Sequence, residues 1–186
     1  MNVATEAEIM TLLNRAIAPN AAPAPHFVFI DTPPAFAAHV RAAMRAASVI
    51  LIPTDPTREG LYGLMDVLDL HTRLALSTPI RAVLTRVTGI LKDQNEMVRR
   101  TLDTEAPYAD MPRLRCPVEI PFSKASAESA QFELPTTIVA PAGRASVAYR
   151  KLVAELGQAL GIRLRTRRVR VPEITSTATD STGAPR

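Results

Sequence analysis

Apolar residues follow two alternating rhythms along this chain. Short, mostly apolar runs predict strands at Phe27-Val28-Phe29-Ile30, Val49-Ile50-Leu51-Ile52, Ile80 to Val87 and Val118-Glu119-Ile120. The stretches between them predict helices over Thr5 to Ala18, Ala35 to Ala47, Arg58 to Leu76, Lys92 to Thr104 and Ser146 to Leu160. The first of these places Ile9, Leu12, Leu13 and Ala16 on one side. The third spaces Leu61, Leu64, Met65, Leu68 and Leu76 near one helical face. Proline marks the breaks, with Pro19, Pro23 and Pro25 after the first helix and Pro53 and Pro56 after the second strand. Gly161 is placed to cap the last helix.

Strands that recur every ~20–35 residues with helices between them have the spacing of right-handed βαβ units. Val49–Ile52 is apolar at every position and does not alternate, which suits a parallel strand covered by helices on both faces. The expected fold is therefore α/β, a parallel sheet flanked by helices, in one domain over residues 1–161. No internal repeat is present. Residues 162–186 form a basic, then Ser/Thr-rich tail that is expected to be largely disordered.

Composition narrows this picture. Apolar residues make up 47% of 186, yet aromatics only 4% with no Trp, so the core must be aliphatic and rich in Ala. No apolar run approaches the ~20 residues that cross a bilayer. The first twenty residues lack the basic-then-apolar order of a secretory signal, so no membrane role is expected. A single cysteine, Cys116, rules out a disulfide within the chain and fits a cytoplasmic protein; it reads as a small, semi-buried residue before a strand. Charge is uneven. Six arginines against Glu173 and Asp180 give residues 162–186 the whole net charge of +4, leaving 16 basic and 16 acidic groups upstream. Attraction to polyanions should concentrate in the tail.

Candidate chemistry lies at the strand ends, where open parallel sheets bind ligands. Asp31, after the first apolar run, could hold a magnesium ion as a hard oxygen ligand. It could equally cap the helix that begins after Pro34. The loop from Pro53 to Gly60 is a Pro-rich turn with Thr57 as a helix N-cap, or a loop beside a ligand or partner. Thr85-Arg86 ends the third strand, where a polar side chain could read a base edge or simply meet solvent. His26, His39 and His71 are scattered and suggest no metal site. The strongest signal is a gap. None of the seven glycines precedes a lysine, so the sequence holds no phosphate-cradling Gly-x-x-x-x-Gly-Lys-Ser/Thr loop.

Phe27-Val28-Phe29-Ile30-Asp31-Thr32-Pro33-Pro34, an Ala-rich helix, and then Ala47-Ser48-Val49-Ile50-Leu51-Ile52-Pro53-Thr54-Asp55-Pro56 resemble the ParA/MinD family of deviant-Walker partition ATPases. The likeness continues through Gly60-Leu61, Ile80 to Arg86, Glu119-Ile120-Pro121, the Ala125–Glu133 loop and Tyr149-Arg150-Lys151-Leu152. It spans roughly Pro25 to Leu160. The resemblance implies a P-loop NTPase-like fold missing its N-terminal P-loop unit, the second half of a nucleotide-dependent machine. It implies Asp31 as the Walker B carboxylate, catalytic and metal-organising, with Thr85, Arg86 and Pro121 around the adenine. ATP and Mg2+ are the implied cofactors, not bound by this chain alone because the Walker A loop is absent. Implied partners are non-specific DNA, a centromere-binding ParB-like protein, and a second copy or a full-length ParA-like chain. Arg163, Arg165, Arg167, Arg168 and Arg170 would contact DNA phosphates, releasing counterions, or form a solvated basic tail. The second reading is a nucleotide-independent module that binds DNA or a partner.

Overall fold

The computed structural model describes residues 5–17, 27–33, 37–111, 113–131 and 133–162. Arg163, Arg165, Arg167, Arg168 and Arg170, and with them nearly all of the expected tail, lie outside the described residues.

Two parallel strands form the centre. Ile50–Thr54 (β1) and Ile80–Leu84 (β2) pair in register, from Ile50 opposite Ile80 to Thr54 opposite Leu84. They run parallel because Arg58–Arg73 (α3) carries the chain back between them, as a crossover must. Thr57 starts that helix, its hydroxyl accepting the Gly60 N–H at 3.0 Å. At the other end Ala75 takes a φ of 50°, so the helix stops short of the expected Leu76. Similarly, β2 ends before the expected Val87 because Arg86 leaves the extended region with a φ of 56°.

The strand expected around Val118–Ile120 is a bulged edge segment. Ala82 N–H donates to the Leu114 carbonyl at 2.7 Å, and the Cys116 and Ile120 N–H groups donate to Ala82 and Leu84 at 2.8 Å each. Isolated parallel bridges join Ala82 with Arg115 and Val87 with Pro121, so one side advances a residue further than the other. Pro117 and Pro121 have no N–H to offer, which prevents a continuous ladder. The strand expected over Phe27–Ile30 is not formed at all. Among the described residues these four have no backbone pairing, and all are exposed, Phe29 by 87%. An extended run becomes a strand only where a neighbour takes up its N–H and C=O groups, and among the described residues β1 pairs with β2 alone.

Helices cover both faces of the sheet. On one face Leu61, Leu64 and Leu68 of α3, with Val98 and Leu102 of Lys92–Thr104 (α4), pack on Ile80, Ala82 and Leu84. On the other, Ala148 and Leu152 of Arg144–Ala159 (α7) pack with Val83, Cys116 and Ile120. This is the aliphatic, two-sided burial that the apolar runs call for. His71 ties α3 to the approach of β2, with Nε2 2.8 Å from the Thr78 carbonyl. Gly161, with a φ of 66°, follows the C-terminus of α7. Glu6–Ile17 (α1) packs on Ala38–Ala46 (α2), where Glu6 receives Arg41 and Arg45 at 2.9 Å each.

The stretch read as a loop at Ala125–Glu133 contains the helix Lys124–Gln131 (α5), followed by the single turn Thr136–Val139 (α6). Ser146, fully buried on α7, secures that turn by donating to the carbonyls of Thr136 and Ala140 at 3.0 and 2.6 Å. The architecture is α/β: helices packed on a small parallel sheet.

Candidate functional site at the carboxyl ends of the strands

The chain leaves β1 at Thr54 and turns sharply at Asp55. The Thr57 N–H donates to the Asp55 carbonyl at 2.7 Å. Gly60, in the first turn of α3, lies so close to that carbonyl that a Cβ would collide with it. Glycine is therefore required there by contact, with no call on its conformational freedom. The turn presents the Asp55 carboxylate toward the end of β2. Oδ1 accepts the Thr85 hydroxyl at 3.0 Å, and Oδ2 accepts Arg86 Nη1 at 3.3 Å. Thr85 is held further by its N–H, which donates to the Thr54 carbonyl at 2.9 Å.

Pro121 reaches the same end of the sheet, since its bridge partner Val87 directly follows Arg86. Thr85, Arg86 and Pro121, singled out in the sequence, are thus gathered at one end, and Asp55 joins them. Asp55 is not among the side chains that the sequence singles out. Its signal was its place, a carboxylate just past a strand end, in a loop read mainly as a Pro-rich turn. The cluster orders the loops more than it stores energy, because Arg86 is 72% exposed in its side chain.

Asp31 stands apart. It is exposed, and among the described residues it forms no hydrogen bond or ion pair. It does not cap the following helix either. α2 starts at Ala38 behind Ala37, with no side chain bonded to the helix end.

A second polar group lies along the bulged edge. Arg99 of α4 grips Glu119 with two bonds of 2.7 Å from Nε and Nη2, the forked geometry that suits guanidinium and carboxylate. Glu119 beside it raises the Arg99 pKa further above its ordinary range. Arg115 makes a like pair with Asp103, two bonds of 2.8 Å, and holds the Asp103 carboxyl below its usual value. Burial pushes the Cys116 thiol up, so this cysteine is a packing residue with little thiolate character.

The described residues do not by themselves form a site for magnesium-bound ATP. The sequence has no lysine-bearing phosphate loop, Asp31 has no second carboxylate, His or Cys ligand beside it among the described residues, and the Asp55 carboxylate is already occupied by Thr85 and Arg86. Among the described residues, no three His, Cys, Asp or Glu side chains converge as metal ligands. No helix among them is long and apolar enough to cross a membrane. No protein-family model matches the chain, and no curated protein matches it.

Proposed function

We propose that this chain is a cytoplasmic, ParA-like partition protein that acts on plasmid or chromosomal DNA and does not hydrolyse ATP by itself. One observation carries the reading. Two apolar parallel strands in the motif order end in Asp55 and in Thr85-Arg86, with Pro121 brought alongside at the same carboxyl end. That is where an α/β sheet presents ligand-reading loops. In this reading the five arginines from Arg163 to Arg170 contact DNA phosphates. A ParB-like centromere-binding protein, and a second copy or a full-length ParA-like chain, are the partners. Asp31 would meet magnesium only within such a pairing.

A second reading, a nucleotide-independent DNA- or partner-binding module, draws on one feature of the same site. Thr85 and Arg86 are spent on Asp55, leaving fewer free groups to read a base. One experiment separates the two: binding of the chain to a non-specific duplex across a salt series, with and without a full-length ParA-like chain and Mg-ATP. The partition reading expects salt-sensitive DNA binding that strengthens when the ATP-loaded partner is added. Binding indifferent to nucleotide supports the module. ATP hydrolysis by the chain alone, or no DNA binding at low salt, contradicts the proposal.

A further inference from the structure

The connection between β2 and α4 is unsettled in three independent ways. α4 begins at Lys92 behind Leu91, whose φ of −102° and ψ of 48° are neither helical nor extended, and no side chain bonds to the helix end. Ile90 and Leu91, both large and apolar, are 92% and 47% exposed. The Thr88 hydroxyl is buried without a hydrogen-bond partner among the described residues, as is Oδ1 of Asn95. Buried polar atoms of this kind are rare in native proteins and call for an explanation. The connection is fixed where it starts. Val87 donates its N–H to the Ile120 carbonyl at 3.2 Å and accepts the Phe122 N–H at 3.0 Å.

The same residues spell a longer helix. Thr88 is a good N-cap residue. Gly89 has neither a left-handed φ nor any atom within 4 Å of an added Cβ, so it can enter a first helical turn. With α4 begun at Gly89, Leu91 stands four, seven and eleven residues before Asn95, Val98 and Leu102, the buried side of the helix. The Thr88 hydroxyl then accepts an N–H of the first turn, the bond it lacks in the shorter helix. Lys92, Asp93 and Gln94 gain regular bonds to the carbonyls of Thr88, Gly89 and Ile90.

One contact opposes this. Asn95, 3% exposed, donates from Nδ2 to the Thr88 carbonyl at 2.6 Å. That is the carbonyl which the Lys92 N–H needs in the longer helix. Residues seven apart lie about 10 Å apart along a helix, beyond the reach of an asparagine side chain, so the two arrangements exclude each other.

We propose that residues 88–91 are a helix-length switch with Asn95 as its latch. In the short form, which the structure holds, Asn95 grips the Thr88 carbonyl and Leu91 stays half-exposed. In the long form α4 starts at Gly89, capped by Thr88, and Leu91 joins the buried side of the helix. Thr88 follows Arg86 by two residues, so the switch links the carboxyl end of the sheet to α4. It rests on the fold and not on the partition reading.

The test is NMR of the full chain, native and as Asn95→Ala, Gly89→Ala and Gly89→Ala/Thr88→Val. Cα shifts and relaxation dispersion report the population of the long form. In the native chain, microsecond-to-millisecond exchange should be confined to residues 86–95. Asn95→Ala should give helical shifts at 89–91. Gly89→Ala should raise the long form up to about fivefold, because alanine favours a helix over glycine. Adding Thr88→Val should reverse most of that gain by removing the cap, whereas a mere propensity effect would survive it. No long form in Gly89→Ala, unchanged shifts at 89–91 in a folded Asn95→Ala, or a gain that survives Thr88→Val would each overturn the proposal. Should Asn95→Ala not fold, Gly89→Ala decides alone. DNA binding enters none of these outcomes, so the two proposals fail separately.

Discussion

Two stretches of this chain carry nearly the same message and meet different fates. Phe27-Val28-Phe29-Ile30-Asp31-Thr32-Pro33 and Val49-Ile50-Leu51-Ile52-Pro53-Thr54-Asp55-Pro56 are both apolar runs that close on Thr, Asp and Pro. The second is a paired strand whose aspartate is fastened by Thr85 and Arg86. The first is exposed, unpaired among the described residues, and ends in an aspartate with no hydrogen bond or ion pair among them. The difference lies in the neighbours. β1 has β2 along one edge and α3 across one face, so its backbone is paired on that edge and Ile50 and Ile52 are partly buried against the core. The apolar character of Phe27–Ile30 is real, but all four residues stay exposed, Phe29 most of all. An apolar run therefore states a capacity for strand formation, and a partner completes it.

This contrast can be broken most forcefully in the core. Leu84, fully buried at the end of β2, should lose about 2–5 kcal/mol of stability on Leu84→Ala. Phe29→Ala, although it removes a larger side chain, should change stability by no more than about 0.5 kcal/mol. Urea unfolding midpoints of the two variants check this, and a large loss at Phe29 would mean that the first run is buried after all. Next in size is Gly60→Ala, whose new Cβ strikes the Asp55 carbonyl. Displacing that backbone should cost about 1–3 kcal/mol, read from the same unfolding curves.

The aspartates themselves sharpen the comparison. Asp55→Asn removes the carboxylate that orders Thr85 and Arg86 and should cost about 1 kcal/mol. Asp31→Asn should leave the unfolding midpoint where it is. The smallest effect is a pH dependence. Arg115 depresses the native pKa of Asp103, so the pair adds stability above the ordinary carboxylate value of about 4. That contribution is lost as pH falls through the lower native value. With the Asp103 side chain 44% exposed, it amounts to a few tenths of a kcal/mol at roughly neutral pH. Comparing the acid limb of unfolding in the native chain and in Asp103→Asn measures it.

Much of the scaffold was legible in the sequence because its signals are local. The Lys92–Thr104 helix has the limits read from its pattern, and Thr57 caps α3 through a bond within its own turn. The lack of alternation in Val49–Ile52 pointed to contact on both faces; Ile50 and Ile52 pack on one cluster and Leu51 on the other, although all three stay only half-buried. The misses share a cause in long-range pairing. Whether Phe27–Ile30 pairs, and whether Val118–Ile120 forms a ladder or a bulge between prolines, depends on which chain lies alongside. α5 escaped notice because its Lys124-Ala125-Ser126-Ala127 opening carries no large apolar stripe.

The candidate site was legible in part for the same reason. Thr85, Arg86 and Pro121 could be placed at strand ends by position, whereas the carboxylate that binds the first two comes from a loop thirty residues away. The Arg99–Glu119 pair and the unsatisfied Asn95 carbonyl are products of packing between distant elements, and no spacing in the sequence reveals them.

The measurement that bears most directly on this account is native-state hydrogen exchange across both apolar runs. The amides of Val28 to Ile30 should exchange close to the rate of unstructured chain, while Ile52 of β1 and Val83 of β2 exchange only with global unfolding. Protection of Val28 to Ile30 equal to that of β1 would contradict the account, because Asp31 would then end a held strand like Asp55.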